Sequence, residues 1–288
     1  MESDLNIPDS ASQWYKLRRN PRLFFWWQFH RATTSLRTLP NFLVIGVMKG
    51  GTTSLFNYLS RHPQVSPPFR KEIKFFDIHY PQGLNWYRAH FPLRRKMRAG
   101  TVTGEATPYY IFHPLAAQRV AQTLPQVKLI ALLRNPVDRA YSHYNHMVRV
   151  GREPLSFEEA LEKEDERLAG EVERITADPL YSTFKHLHYS YKARGRYAEQ
   201  LKRWFEHFSR DAMLVLSSEE LYTSPQAAYR KVIEFLGLSP WEPKEFRAFK
   251  QGVYEDIPSE SRRRLAAYFK FYNEELRDDL GIDFRWDA

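Results

Sequence analysis

The chain has 288 residues, with 43 Lys and Arg against 34 Asp and Glu, a formal net charge of +9 and no cysteine. Disulfides, thiolate metal sites and cysteine nucleophiles are therefore excluded, and the ten histidines show no H-E-x-x-H spacing. Strand-like apolar runs alternate with helical stretches and no linker or repeat interrupts them, which favours one α/β domain over two small ones.

Residues 1–40 read as an N-terminal arm and residues 41–288 as a single domain. Within the arm, WYKLRRNPRLFFWWQFHR at 14–31 has an apolar run from Leu23 to Trp27, far too short to span a bilayer. No signal-peptide cleavage pattern follows it. Its aromatics, flanked by Arg18, Arg19, Arg22 and Arg31, have two uses: packing on the domain, or contact with a membrane surface. Pro21 interrupts any long amphipathic helix, so packing is the preferred reading.

Residues 42–55 read FLVIGVMKGGTTSL. Phe42 to Val47 has the length and β-branching of a buried strand, and Leu55, Tyr58 and Leu59 recur at helical spacing from Thr52 onward. A strand, glycine turn and helix in this order point backbone N–H groups at one anion. Gly46 and Gly51 have the Walker A separation, but Thr52 stands where that motif requires lysine, and the lysine is Lys49 inside the loop. The competing reading is a tight turn with an exposed lysine. Residues 71–77 read KEIKFFD, and on its own Glu72 is a surface glutamate beside Lys71 and Lys74. Residues 104–114 read GEATPYYIFHP.

Residues 127–150 repeat the strand-to-helix pattern. Val127 to Leu133 is a continuous apolar run that ends on Arg134, Asn135 is placed to cap the next helix, and Pro136 fits its first position. Val137, Tyr141, Tyr144 and Val148 form an apolar stripe, with Asp138, Arg139 and Ser142 on another face. Ligands of open α/β sheets bind at the carboxyl ends of strands, so Arg134 is placed for a phosphate, with Ser142 as an added donor. His143 and His146 read as surface or packing residues. The acidic stretch 156–173 reads as a solvated helix with a Ser156–Glu159 capping box, and the last helix, about 259–278, should bury Leu265, Tyr268, Phe269 and Tyr272.

Four of these segments together resemble sulfotransferases that use 3′-phosphoadenosine 5′-phosphosulfate (PAPS). The 42–55 loop is similar to their 5′-phosphosulfate loop, and Arg134 with Ser142 to their 3′-phosphate site. KEIKFFD is similar to the E-x-x-F-F-[DN] motif of the heparan-type branch, and GEATPYYIFHP to its E-K-[ST]-x-x-Y-F region, with Ala106 in place of the lysine that assists transfer. The stretches 191–205 and FYNEELRDDLGIDFRWD also look like this family, so the resemblance runs from about residue 41 to the end.

The resemblance implies a P-loop-like three-layer α/β fold around a parallel sheet of about five strands. It implies transfer of a sulfuryl group from PAPS, leaving 3′,5′-ADP, to a hydroxyl or an amine of a carbohydrate or glycolipid. The implied cofactor contacts are Lys49, Gly50, Gly51, Thr52, Thr53, Ser54, Arg134 and Ser142, with Lys250 and Gly252 of FKQGVYED as further candidates. Glu72 matches the general base, and Phe75 and Phe76 would wall it from water. Lys49 would neutralise the leaving oxygen. Lys74, Asp77, Glu105 and Tyr110 would face the acceptor. No metal is required in this scheme, because lysine and backbone dipoles take the part Mg²⁺ has in kinases.

Two other functions compete: an ATP-dependent kinase on an altered P-loop, and a non-catalytic module that binds polyanions or membranes. The basic clusters Arg94–Arg98 and Arg262–Arg264 could attract an anionic saccharide or a lipid surface. No nucleic-acid motif accompanies them, so no nucleic acid is expected. Animal Golgi relatives carry a membrane anchor; a chain without one is expected to be a cytoplasmic enzyme, peripherally membrane-bound, or a catalytic domain cut from a longer chain.

Overall fold

In a computed structural model, the described residues are 21–286, apart from 179, 248 and 250–253. Four strands form one parallel sheet: β1 (Phe42–Gly46), β2 (Gly104–Ala106), β3 (Lys128–Leu133) and β4 (Met213–Ser217), in the order β2-β1-β3-β4. The order reverses between β1 and β3, so the crevice of a doubly wound sheet must open at their carboxyl ends.

The helices in chain order are α1 (Pro21–Ala32), α2 (Thr52–Leu59), α3 (Gly83–Arg88), α4 (Ala116–Thr123), α5 (Pro136–Arg149), α6 (Phe157–Glu162), α7 (Glu164–Leu168), α8 (Glu171–Ala177), α9 (Phe184–His188), α10 (Tyr197–Phe205), α11 (Ser218–Thr223), α12 (Pro225–Leu236) and α13 (Ser259–Leu280). Alternate strand residues supply the two faces of the sheet. Leu43, Ile45, Leu129 and Leu133 pack with Val120 of α4, Leu201 and Trp204 of α10 and Leu276 of α13. Phe42, Val44, Ile130 and Leu132 pack with Leu55 and Leu59 of α2 and Val232 and Leu236 of α12. The result is the expected three-layer architecture. Among the described residues no helix is long and apolar enough to cross a membrane.

Four strands, not about five, form the sheet. Beyond β2, Val65 makes only an isolated parallel bridge to Val102. Ser66 still donates to the Val102 carbonyl (2.8 Å), but Pro67 and Pro68 come next and have no N–H to extend a ladder.

Three local expectations change. Val148 of α5 is exposed, whereas Arg139, Ala140, His143 and Met147 are buried. The 156–173 stretch is three short helices, α6 to α8. Its Ser156–Glu159 capping box is present, but Glu164 and Glu171 are buried. Glu164 accepts from the Lys192 and Ala193 amides (2.6 and 2.7 Å), and Glu171 from the Tyr181 and Thr183 hydroxyls. In α13, Leu265 and Phe269 are buried as expected, while Tyr268 and Tyr272 are half-buried against Arg196.

The described part of the arm lies on the domain. Trp27 is buried against Phe69 and His90, and Arg37 pairs with Leu93 in an antiparallel bridge.

Candidate active site

The turn from β1 into α2 is shaped by sterics. A Cβ on Gly50 would stand 2.7 Å from the Leu132 carbonyl oxygen, and Gly51 has φ +87°, where side-chain-bearing residues are strained. Ser218 Oγ donates to the Gly50 carbonyl (2.7 Å), which ties the turn to the end of β4. The N-terminal amides of α2 thereby open onto a cleft of about 580 Å³ at the switch point.

β3 delivers Arg134 to the same place. Its Nη1 donates to the Lys49 carbonyl (3.1 Å). Tyr197 Oη donates to the Arg134 carbonyl (2.7 Å), and the Asn135 amide donates to Glu219 (2.8 Å), so the strand end is held on both sides of its peptide. Asn135 caps α5 by accepting from the Val137 amide (3.0 Å), and Pro136 takes its first position, both as the sequence implies. Ser142, two turns along α5, also faces the cleft.

The 71–77 loop closes another wall with Glu72 and Lys74. Both adopt left-handed φ values (58° and 57°), as does Lys49 (71°). Each such residue costs about 1–3 kcal/mol and persists only where its surroundings over-determine it. Here the surroundings are the 104–110 segment. The amides of Ile73, Lys74 and Phe75 donate to Glu105 (3.1 Å), Thr107 (3.3 Å) and Tyr110 Oη (2.8 Å) in succession. Lys71 Nζ bridges Thr53 Oγ1 (2.6 Å) and Glu72 Oε1 (3.2 Å), joining this loop to α2.

Lys49, Gly51, Thr52, Thr53, Glu72, Lys74, Arg134 and Ser142 thus converge on one cleft. Gly50 lies beneath it. Ser54 points away: it is buried and accepts from the Phe249 amide (3.0 Å). Lys250 and Gly252 lie outside the described residues. Asp77, Glu105 and Tyr110 are interior rather than cleft-wall residues. Glu105 accepts from Ile73, Tyr87 (3.0 Å), Thr107 (2.8 Å) and Tyr110 (2.9 Å), which makes it the anchor of the loop. Phe75 and Phe76 are also core residues, the first stacked on Tyr87 and the second edge-to-face with Tyr110, and the Glu72 side chain is about one-third exposed. They fix the loop instead of screening the carboxylate.

Burial pushes the Asp77 carboxyl up to about 7, and the Ile78 amide and Lys74 only partly offset it. Such a group destabilises the fold as its unfolded counterpart ionises, from about pH 4 up to its folded value. Asp77→Asn should therefore stabilise the protein by an amount that grows from pH 5 to pH 7 and then levels off. Thermal melts that show the same gain at pH 5 and pH 8 would contradict this.

Sequence reasoning missed Arg149, Arg152, Arg194, His188 and Tyr222, which also line the cleft. Arg149 ends the α5 segment and Arg194 lies in the family-like stretch 191–205, but neither matches a motif position; Arg152, His188 and Tyr222 come from segments with no local motif. Arg194 is almost fully buried. It donates to Ser190 Oγ (2.7 Å) and the Leu187 carbonyl (2.8 Å), meets Met48 Sδ (3.4 Å), and lies over the Tyr109 ring. Burial lowers its pKa to about 10, so it stays a cation. In all, the described lining carries six cations (Lys49, Lys74, Arg134, Arg149, Arg152, Arg194) and one carboxylate, Glu72. A donor set of this kind suits a ligand with several negative charges.

Comparison with known proteins gives the family. Residues 39–271 match the family model of the sulfotransferase domain. A membrane-associated sulfotransferase of Dictyostelium discoideum, kil1, is 29% identical over 317 residues, which cover 87% of this chain and 67% of that protein. The mouse heparan sulfate glucosamine 3-O-sulfotransferase 3B1 is 30% identical, covering 87% of this chain and 66% of its own length. The bifunctional heparan sulfate N-deacetylase/N-sulfotransferase 1 of Caenorhabditis elegans is 27% identical, and the match covers only 29% of it. The crystal structure of a sulfotransferase from Alicyclobacillus acidocaldarius superposes with a TM-score of 0.70 at 32% identity, covering 87% of this chain and all of that one. The chain belongs to the sulfotransferase family.

Proposed function

We propose that the cleft binds PAPS and transfers its sulfuryl group to a hydroxyl of a carbohydrate or glycolipid acceptor, with residues 41–288 acting as one catalytic unit. The contact of Arg134 with the Lys49 carbonyl supports this reading, because it brings the arginine at the end of β3 beside the glycine turn after β1, where the two anionic ends of one nucleotide would lie. Bound there, the nucleotide would supply the sulfuryl group. The amides of Gly51 to Thr53 and the hydroxyls of Thr52 and Thr53 would hold its phosphosulfate end, with Lys49 neutralising charge on the leaving oxygen. Arg134 and Ser142 would hold the 3′-phosphate. Glu72 would take the proton of the acceptor hydroxyl, and Lys74 would face the acceptor. The names of the heparan sulfate relatives support a carbohydrate acceptor.

Calorimetry tests the nucleotide site. Without Mg²⁺, 3′,5′-ADP should bind far better than AMP, and Arg134→Ala should remove roughly a hundredfold of that affinity while leaving AMP nearly unchanged. Equal losses for both ligands would mean that Arg134 only supports the turn. A Mg²⁺-dependent preference for ATP would indicate a kinase. Transfer of labelled sulfate from PAPS to pooled polysaccharides and glycolipids then identifies the acceptor.

A further inference from the structure

The helix α1 and the turn after it present an outward face on which large apolar side chains are exposed. Trp27 and His30 point inward, the latter with its ring nitrogen 2.7 Å from the Ala89 carbonyl oxygen. One helical turn apart on α1, Phe25 and Phe29 are 71% and 51% exposed, and Leu36 in the following turn is 58% exposed. Single exposed apolar residues are ordinary, but three large ones within twelve residues form a patch.

The surroundings of the patch are basic. Arg31, Arg94, Arg95, Lys96 and Arg98 are all exposed. The Arg94 guanidinium donates to the Ser35 carbonyl, which places the basic turn against the apolar one. No Asp or Glu occurs in residues 21–40 or 91–100, the described stretches around this face. Over the whole chain 34 acids accompany 43 Lys and Arg, so two acid-free stretches meeting in one place concentrate positive charge there.

We propose that this face docks peripherally on an anionic lipid bilayer. Charge complementarity alone would also admit a soluble polyanion. The phenylalanines decide between the two: a hydrated polyanion gains little by covering them, whereas a bilayer interface accepts aromatic rings among the headgroups and cations against anionic lipid. The inward side of the same helix packs on Phe69 through Trp27, and Phe69 precedes Glu72 by three residues. The inference does not depend on the identity of the nucleotide or acceptor.

Co-sedimentation of the full chain with vesicles tests it. Vesicles that mix phosphatidylglycerol into phosphatidylcholine should bind the protein on the order of a hundredfold more tightly than pure phosphatidylcholine, with the difference fading in high salt. Phe25→Ser/Phe29→Ser should weaken binding to the mixed vesicles roughly tenfold or more. Arg31→Gln/Arg95→Gln/Lys96→Gln should abolish the preference for phosphatidylglycerol. All these residues are exposed, so thermal midpoints should hold; if the triple variant unfolds, Lys96→Gln alone, read by salt titration, serves in its place. Failure of the parent protein to sediment with mixed vesicles would overturn the proposal. Unaltered vesicle binding by the phenylalanine variant, with full competition by dextran sulfate, would also overturn it and make the patch a polyanion site.

Discussion

Glu72→Gln is expected to lower turnover by roughly 10²–10⁴-fold while 3′,5′-ADP affinity stays within about twofold. A carbohydrate hydroxyl is a weak nucleophile, and Glu72 is the one carboxylate among the described residues of the cleft wall. The substitution keeps side-chain shape and leaves the left-handed backbone at residue 72 as it is. Lys71 can still donate to the amide oxygen, so its bridge to Thr53 need not break. The loss should therefore fall on the proton-accepting step alone. Pre-steady-state sulfuryl transfer with saturating PAPS and a responsive acceptor checks this. Unchanged turnover would remove Glu72 as the base, and a parallel loss of 3′,5′-ADP binding would show that the residue acts through the α2 amides instead.

Glu105→Ala should be the most damaging substitution for stability, by about 3–5 kcal/mol. The glutamate is fully buried, and four donors aim at it: the Ile73 amide and the Tyr87, Thr107 and Tyr110 hydroxyls. Burial raises its pKa and the four donors oppose that rise, so the group is held chiefly by hydrogen bonds. Alanine would leave all four donors without that acceptor in a dry interior and would open a cavity beside Phe75 and Phe76. Urea denaturation reads the effect. A second consequence separates this from ordinary core damage: the Glu72 loop hangs on Glu105, so turnover should fall well below the melting temperature while the α2 turn still binds 3′,5′-ADP. A midpoint equal to that of the parent protein would show that the network is dispensable.

Much of the site was legible because its signals are local. A strand, a glycine turn and a helix start announce an anion cradle within fourteen residues, and Asn135-Pro136 announces a helix start directly after Arg134. Patterns of this kind depend on neighbours in sequence, so both segments fold as read. Direction was harder to read. KEIKFFD and GEATPYY look like two stretches of cleft wall, yet only their neighbours in space decide which side chains turn inward. Glu105, Tyr110 and Asp77 turn in because the amides of residues 73–78 and the Tyr87 hydroxyl need acceptors there. Glu164 and Glu171 are buried for the same reason, by donors ten to twenty-nine residues further along the chain. Arg152 and His188 arrive in the cleft from segments whose sequences carry no mark of it, and Arg194 from a family-like stretch in which nothing singles that residue out. The strand count came with the fold resemblance and not from the local residues, and beyond β2 Pro67 and Pro68 leave no ladder for a fifth strand.

The way the cleft arginines are held has a kinetic consequence. Arg134 rests on a carbonyl, and Arg194 on a hydroxyl and carbonyls, so no carboxylate cancels either charge among the described contacts. Six cations against the single carboxylate Glu72 leave the described lining with a net positive field that reaches into solvent. A polyanionic nucleotide is therefore drawn in from beyond contact range, and its capture rate should be steepest in dilute buffer and decline as the screening length shortens toward about 8 Å at physiological ionic strength.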